Sequence, residues 1–235
     1  MIQLEALCRW VQEVECSRLP PPRWREDKGV FEYDSVGVEI VAFLKAVRAV
    51  QSLNSLPVLC ERGLLYDFYT IIRCVIECTD QIHFLLEQYP NTSSFVDQFV
   101  RHFSSTTIEN AKVQEHHGVR ASKITAAAAR ARMRRPGPDQ LDEETKRATE
   151  LIRGIWTAIC NSVHSNYADI MQAYGPRGAA QFQLRGIPDV AFCAKNAAWI
   201  PAIHWQVAEG LRFLAQRLAL SEIELEIRTA LLNDA

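Results

Sequence analysis

The amino-acid sequence predicts an all-α fold, a single-domain helical bundle with five to seven principal helices. Apolar residues recur at helical spacing along most of the 235 residues, and proline- and glycine-rich stretches separate these segments. The sequence contains no strand-turn-strand signal that is strong enough to predict a sheet. With 48% apolar residues, the chain can bury one large core. We therefore expect one domain over residues 1–235, with an N-terminal helix and a proline-rich connection in 1–34 and the bundle core in about 35–231.

The first two helices are bounded by proline and turn residues. Periodic apolar residues begin the first helix near Leu4, and it ends before Pro20, because proline lacks a backbone donor and clashes with the preceding turn. Residues 20–34 are expected to form a loop or an extended connection. A second helix over Val38–Val50 and a turn at Asn54–Pro57 follow.

The segment Leu64–Leu86 has the clearest helical pattern in the chain. Five apolar residues recur there at i, i+4, i+7, i+11 and i+14, which predicts one buried stripe. They are Ile71, Val75, Cys78, Ile82 and Leu85. After a break at Pro90, the next helix is expected to start near Ser93. It carries Phe95, Phe99 and Phe103.

The second half of the chain is also expected to be helical. An alanine-rich helix is predicted over about 107–134, and the next helix ends at Tyr174. Residues 178–188 are expected to be irregular, and 188–231 helical again. Pro201 is predicted to kink or break that last stretch.

Composition and charge limit the function classes. A net charge of −2 with 23% charged residues gives no overall bias toward a polyanion, and no apolar run approaches the ~20 residues that cross a bilayer. The N-terminal residues lack the basic and apolar regions of a signal peptide. Seven cysteines, several of them at apolar helical positions, suit a reducing compartment. We therefore expect a cytoplasmic protein without a membrane partner.

A polar group around His164, on an otherwise apolar helix, is the first candidate site. On a helical wheel His164 lies at the edge of the buried arc that contains Ile159 and Val163. Asn161 lies about 60° further round. The pKa of a half-desolvated histidine can move to either side of neutrality, which suits a general acid or base or a ligand contact. The alternative is a structural histidine that hydrogen-bonds a neighbouring carbonyl or carboxylate.

Arg73 and Glu77 form a second candidate, because they share the face of the Leu64–Leu86 segment opposite the apolar stripe. Tyr66 and Phe84 lie on the same face. Aromatic residues there indicate that another helix covers the face, which would leave the charged pair partly buried and in need of partners. The alternative is a solvated face with two stray aromatic residues.

A local basic segment over 118–135 contains six cations and no acid. They are Arg120, Lys123, Arg130, Arg132, Arg134 and Arg135. Such a segment suits RNA or DNA phosphates, although it has no interleaved aromatic residues for base stacking. The alternative is a solvated helix whose charge is offset by the acidic residues that follow at 139–144.

The sequence predicts no cofactor and no metal site. His116 and His117 diverge by 100° if they are helical, so they form a poor metal pair. Cys74 and Cys78 could share a metal with His83 only on an open helix face, and core positions are expected for them instead. The chain has no glycine-rich phosphate loop, His-Glu-x-x-His or Cys-x-x-Cys motif.

The two polar elements together resemble a known group of proteins. The group consists of poorly characterised prokaryotic helical proteins that are often compared with HEPN proteins, helical bundles that include RNA-cleaving toxins and defence effectors. The resemblance covers roughly residues 58–105 and 150–220. It rests on Arg73-x-x-x-Glu77 and on Asn161-x-x-His164-x-Asn166-Tyr167.

The resemblance implies a HEPN-like bundle and a role for each of these residues. Arg73 would contact a phosphate, His164 would act as acid or base, and Asn161 would complete the catalytic set. The residues implied in substrate binding are Glu77, Tyr167 and Asn166.

The chain departs from the HEPN nuclease signature in one respect. That signature places an arginine four to six residues before the histidine, whereas this chain has no basic residue at 156–160. The nearest preceding arginine is Arg153, about 16 Å away along a helix axis. The family's catalytic arginine therefore cannot be assigned at its usual place, and Arg73 would have to supply that charge from another helix.

Two function classes stay open. One is an effector of a prokaryotic antiviral defence or stress system that binds or cleaves RNA, in the second case as a metal-independent ribonuclease. The other is a non-catalytic helical module for dimerisation or partner-protein binding. In either class we expect a homo-oligomer, such as a homodimer, or a partner protein of the same system. The separation of Arg73 and His164 in the folded chain would decide whether they share a site.

Overall fold

Helices dominate the part of the chain that the structure describes. The computed structural model describes residues 2–27, 29–105, 194 and 196–234, which form seven helices and one short hairpin. The prediction of an all-α fold is confirmed. In chain order the elements are α1 Leu4–Arg18, β1 Arg23–Arg25, β2 Val30–Glu32, α2 Val38–Leu53, α3 Leu56–Glu61, α4 Leu65–Leu86, α5 Ser94–Ser105, α6 Ile200–Arg217 and α7 Ser221–Asp234.

Helix α4 is at the centre of the packing, since it lies against both α2 and α6, and α6 carries α7. Its side chains Phe68, Ile72 and Ile82 are almost completely buried, and each such burial stabilises the fold by ~1.5–3 kcal/mol. The contact with α6 is close: a Cβ added at Gly210 would lie 3.4 Å from Thr79 Cγ2. The predicted apolar stripe is confirmed, with Ile71 half-buried at its edge.

Ile2, just before α1, and Trp10 on α1 contact residues of α6 and α7, which are far away in the sequence. The backbone N–H of Ile2 donates to Asp234 Oδ2 at 3.0 Å, and Trp10 Nε1 donates to Glu226 Oε1 at 2.9 Å. His204 Nδ1 lies 2.9 Å from the carbonyl oxygen of Ile2. Trp10 itself is 1% exposed, so α1 is held by a buried ring as well as by polar contacts.

A network of four charged side chains joins α6 to α7. Glu224 is the centre of this network, and its side chain is only 9% exposed. It accepts hydrogen bonds from Arg228 on its own helix and, at 3.2 Å, from Arg212 on α6. Arg212 also pairs with Glu209 at 2.6 Å. The hydrogen bonds from the two arginines, that of Arg228 first, lower the pKa of Glu224 although burial opposes this.

A short hairpin forms within the stretch predicted as a loop or an extended connection, residues 20–34. Within the predicted extended connection, β1 and β2 pair antiparallel with Trp24 opposite Phe31. The rings of these two residues contact each other at 5.0 Å, and Arg23 pairs with Asp34 at 3.0 Å. Gly29 in the turn has φ +65°, which favours glycine. Each strand has only three residues, so the pair does not organise the core.

Two prolines lie at helix starts, which refines two predicted breaks. The turn predicted at Asn54–Pro57 is short, and Pro57 already lies in the first turn of α3, where its missing donor costs nothing. Pro201 lies in the first turn of α6 for the same reason, and the helical residues 196–197 before it end in a turn at 198–199, so the predicted break there is confirmed. A further break in this stretch falls between α6 and α7, where Ala219 has φ 58°.

Several predictions fall on residues that the structure does not describe. The helices expected over about 107–134 and up to Tyr174, and the irregular stretch 178–188, lie outside the described residues. Of the helices in the described ranges, none combines the length and the apolar character that a membrane span requires.

Candidate functional site

Arg73 and Glu77 form an ion pair on the surface of α4. Arg73 Nε donates to Glu77 Oε1 at 2.9 Å, and the two side chains are 28% and 40% exposed. The prediction that this pair is partly buried is confirmed. Since the residues are one turn apart on the same helix, the pair orients the guanidinium and adds little stability, about 0.2–0.5 kcal/mol.

Helix α5 contacts α4 at Phe84, about two helical turns beyond Glu77. The ring of Phe99 on α5 lies 6.0 Å from that of Phe84 on α4, and both rings are half-buried. Phe103, one turn further along α5, also packs against the core, whereas Phe95 is 54% exposed. The aromatic residue Phe84 on the charged face of α4 is therefore covered by another helix, as its position predicted.

Lys45 on α2 is a member of this site that the sequence analysis missed. Its Nζ lies 4.7 Å from the ring centroid of Phe103 and 5.6 Å from that of Phe99. This is the geometry of a cation–π contact with two rings. Burial lowers the pKa of Lys45, while the nearby thiols and the Glu77 carboxylate act in the opposite direction. Lys45 thus faces the same part of α4 that carries the ion pair.

A sequence signal for Lys45 exists in the spacing of α2. Val41 and Ala49, one turn before it and one turn after it, are both 0% exposed. A lysine between two buried residues at i−4 and i+4 stands on the core side of its helix, where lysine is rarely found.

Two cysteines of α4 line the same region. Cys78 is buried and Cys74 is half-buried, as core positions predicted. Burial, together with the neighbouring Cys74, raises the pKa of Cys78 to about 12, although Lys45 and Arg48 oppose this. The Cys78 thiol is therefore neutral near pH 7 and does not act as a counter-ion.

We call Lys45, Arg48, Arg73 and Glu77 the Lys45 cluster. It contains three cationic side chains and one carboxylate, on helices α2 and α4. Arg48 is exposed and close enough to influence Cys78. Its cations are half-buried or exposed, and cationic side chains of this kind attract anions.

A hydrogen-bonded pair extends the polar face of α4 by one turn. The Tyr69 hydroxyl donates to Asn196 Oδ1 at 2.8 Å, and Asn196 is 1% exposed. The Tyr69 ring also lies 5.5 Å from that of Trp199. Because Tyr69 precedes Arg73 by one helical turn, this pair fixes the position of α6's start beside the charged residues.

Of the residues predicted for the site, the structure describes Arg73 and Glu77 and brings them into contact. The polar residues of the later element and the six cations of the basic segment lie outside the described residues, so the separation of Arg73 and His164 is not defined. They are Asn161, His164, Asn166, Tyr167, Arg120, Lys123, Arg130, Arg132, Arg134 and Arg135.

Within the described ranges, no three His, Cys, Asp or Glu side chains are grouped as metal ligands would be. Cys74 and Cys78 face the core, and the ring of His83 packs against Phe213 at 4.6 Å. These three residues therefore do not converge on one point.

The described residues form a helical bundle with a cluster of charged side chains on two of its helices. Residues 39–177 match the model of DUF5677, a family of unknown function, and the chain belongs to this family. The match includes α2 to α5 and hence every member of the Lys45 cluster. Comparisons with curated proteins and with solved structures gave no match.

Proposed function

We propose that this protein is an RNA-binding effector of a prokaryotic defence or stress system, as its resemblance to HEPN-like proteins implies. The observation that carries the proposal is the half-exposed Arg73–Glu77 pair on α4. A partly desolvated arginine that is already oriented by a carboxylate is well suited to bind a phosphate.

Cleavage of the bound RNA without a metal is the chemistry that fits the candidate residues. Arg73 would stabilise the charge that develops on the phosphate, and His164 would transfer the proton. Asn161 and Tyr167 would position the substrate. The cations of residues 118–135 would contact phosphates along the strand.

The proposal is tested by measuring how a fluorescent single-stranded oligoribonucleotide binds the full chain at increasing salt. Affinity should fall steeply with salt, because bound cations release counter-ions from RNA. Replacement of Arg130, Arg134 and Arg135 by Glu should abolish binding and leave the melting temperature unchanged. If the wild-type chain does not bind the oligoribonucleotide at low salt, the proposal is wrong.

Catalysis is tested separately. His164→Ala should abolish cleavage of the same oligoribonucleotide with little effect on binding, and Arg73→Ala should reduce both. Arg62→Ala is the matched control, because Arg62 is an exposed cation at the end of α3, on neither of the two helices that carry the cluster. Equal activity of wild type and His164→Ala would remove this histidine from the mechanism.

A non-catalytic helical module for dimerisation or partner-protein binding is the second candidate function. The hairpin favours it, because Trp24 and Phe31 are 53% and 66% exposed and lie in contact. Exposed aromatic pairs are more common at protein interfaces than elsewhere on a surface. Sedimentation velocity of the double variant Trp24→Ser/Phe31→Ser tests this, since a lower association state than that of wild type would support it.

A further inference from the structure

The hairpin β1–β2 has two different faces, and both are open to solvent. Trp24 and Phe31 lie opposite each other in the strand pair, so they share one face, and their rings contact at 5.0 Å. Their neighbours in the strands project from the other face, because side chains alternate along a strand. Trp24 is 53% exposed and Phe31 is 66% exposed. We call these two residues the aromatic face.

The opposite face of the hairpin is charged, and its charges are paired with one another. Arg23 Nε lies 3.0 Å from Asp34 Oδ2, and Arg25 Nε lies 3.6 Å from Glu32 Oε2. Arg25 also reaches Asp34 at 3.5 Å. These ion pairs form inside the hairpin, so the charged face does not need a charged partner from another molecule.

The base of the hairpin is attached to the bundle, whereas its strands project into solvent. Tyr33, which follows β2 directly, is half-buried and packs against the core. Burial raises the pKa of Tyr33, and Glu15 on α1 acts in the same direction. All three residues of β1, by contrast, are exposed. The bundle therefore leaves the aromatic face uncovered, although a two-stranded hairpin by itself is only marginally stable in water.

The charges around the aromatic face disfavour a nucleic acid or a membrane as its partner. Residues 23–34 contain three cations and four carboxylates in the sequence, and both arginines of β1 are already paired, which leaves little attraction for phosphates. The turn carries Glu26 and Asp27, both exposed, at the tip that would meet an anionic lipid surface first. A protein surface is the class of partner that these charges permit.

We propose that the aromatic face is the contact between two copies of this chain, with Trp24 and Phe31 of one copy packed against the same residues of the other across a two-fold axis. Such an interface requires a surface that is complementary to itself. The aromatic face meets this requirement, because it carries no charge and aromatic rings pack well edge to face. The inference rests on the second candidate function, for which it names the partner, and it does not depend on RNA binding.

The size of the aromatic face predicts a weak dimer. Two partly exposed side chains in each copy provide far less than the roughly 800 Å² that each partner buries in a standard interface. We therefore expect a monomer–dimer equilibrium with a dissociation constant on the order of 10 µM or weaker. Sedimentation velocity of the full chain, at concentrations from about 1 to about 200 µM, covers this range.

The first experiment replaces Phe31 by residues of opposite charge and measures the association state in the same way. Phe31→Lys and Phe31→Glu should each lose about tenfold or more in self-association, because like charges meet across the axis. An equimolar mixture of the two variants should recover the dimer, since opposite charges then meet. A contact with a different protein gives no such recovery.

Val30 provides a matched control on the same strand. It is 43% exposed and lies opposite Arg25, so it projects from the charged face. Val30→Lys and Val30→Glu should therefore associate as wild type does. Circular dichroism melting curves show that every variant is folded.

The outcomes separate a contact between two copies from other uses of the hairpin. If wild type stays monomeric at the highest concentration, the inference is wrong and a different partner protein stands as the second candidate function. If the Phe31 variants dimerise as wild type does, or if the Val30 variants lose as much, the contact lies elsewhere and only dimerisation stands. Loss of oligouridylate binding in Trp24→Ser/Phe31→Ser, with an unchanged association state, would assign the aromatic face to RNA and overturn the inference.

Discussion

The Glu224 network and the Lys45 cluster contain similar side chains but differ in the contacts that their charges make. In the network, two arginines and two glutamates meet, and the central carboxylate is 9% exposed. In the cluster, Arg73 pairs with Glu77 on its own helix, and the Lys45 ammonium lies against two aromatic rings. The network joins two helices through ion pairs, whereas the Lys45 cluster places a cation against apolar side chains. The partner of each charge, more than the number of charged residues, therefore distinguishes the two regions.

Of the substitutions in these two regions, Glu224→Gln is expected to change the stability of the fold most. Glu224→Gln keeps the shape of the side chain and removes the charge between Arg212 and Arg228. We expect the free energy of unfolding to fall by about 2 kcal/mol, less than for a completely buried pair because Arg228 is half exposed. Urea unfolding measures this. Glu222→Gln is the matched control, since Glu222 is exposed on the same helix turn. Equal stability of the two variants would show that the network does not join α6 to α7.

The same network predicts a dependence of stability on pH. Because the pKa of Glu224 is lowered in the folded state, its contribution is complete above the ordinary pKa of an unfolded glutamate. It is lost as the pH falls through the lower pKa of the folded state. Urea midpoints measured from about pH 7 to about pH 3 should therefore decline less steeply in Glu224→Gln than in wild type. Parallel curves would contradict the assignment.

The smallest change in the free energy of unfolding is expected for Lys45→Met, and its sign is opposite to that expected for Glu224→Gln. Lys45→Met removes a charge whose desolvation is not recovered by an ion pair, so stability should stay constant or rise by up to ~1 kcal/mol. Urea unfolding of this variant beside Arg62→Met provides the measurement. A fall of the size expected for Glu224→Gln would mean that Lys45 is a structural residue, and the contrast between the two regions would disappear.

The sequence predicted the long helices well because each buries a continuous face. In α4, Val75, Cys78 and Ile82 are spaced so that a helix places all three on one side. This spacing allowed both the helical structure and the length of the segment to be inferred. The hairpin could not be predicted in this way, because a strand of three residues is too short to show a clear alternation of apolar and polar side chains. What holds its strands together is the cross-strand contact of Trp24 and Phe31.

The site was predicted in part. Arg73 and Glu77 were found because they lie one turn apart on a helix with a clear apolar side. Lys45 was missed because its partners Phe99 and Phe103 are on α5, and a contact between two helices is not encoded in the spacing of either one. Pro201 was read correctly as a break, because a proline is tolerated in the first turn of a helix and disfavoured in its interior.

The contacts of α1 have a consequence for the order in which the chain folds. Trp10 meets Glu226, and Ile2 meets Asp234, across 216 and 232 positions of sequence. During synthesis, α1 emerges before its partners on α7, so the hydrogen bond of the Trp10 indole forms only after α2 to α6 have been made. Contacts between residues so far apart in the sequence slow folding, because the entropy of closing a long loop is lost before the contact can stabilise the fold. Docking of α1 onto α7 is thus expected to be a late step, and one that a fluorescence change at Trp10 would report.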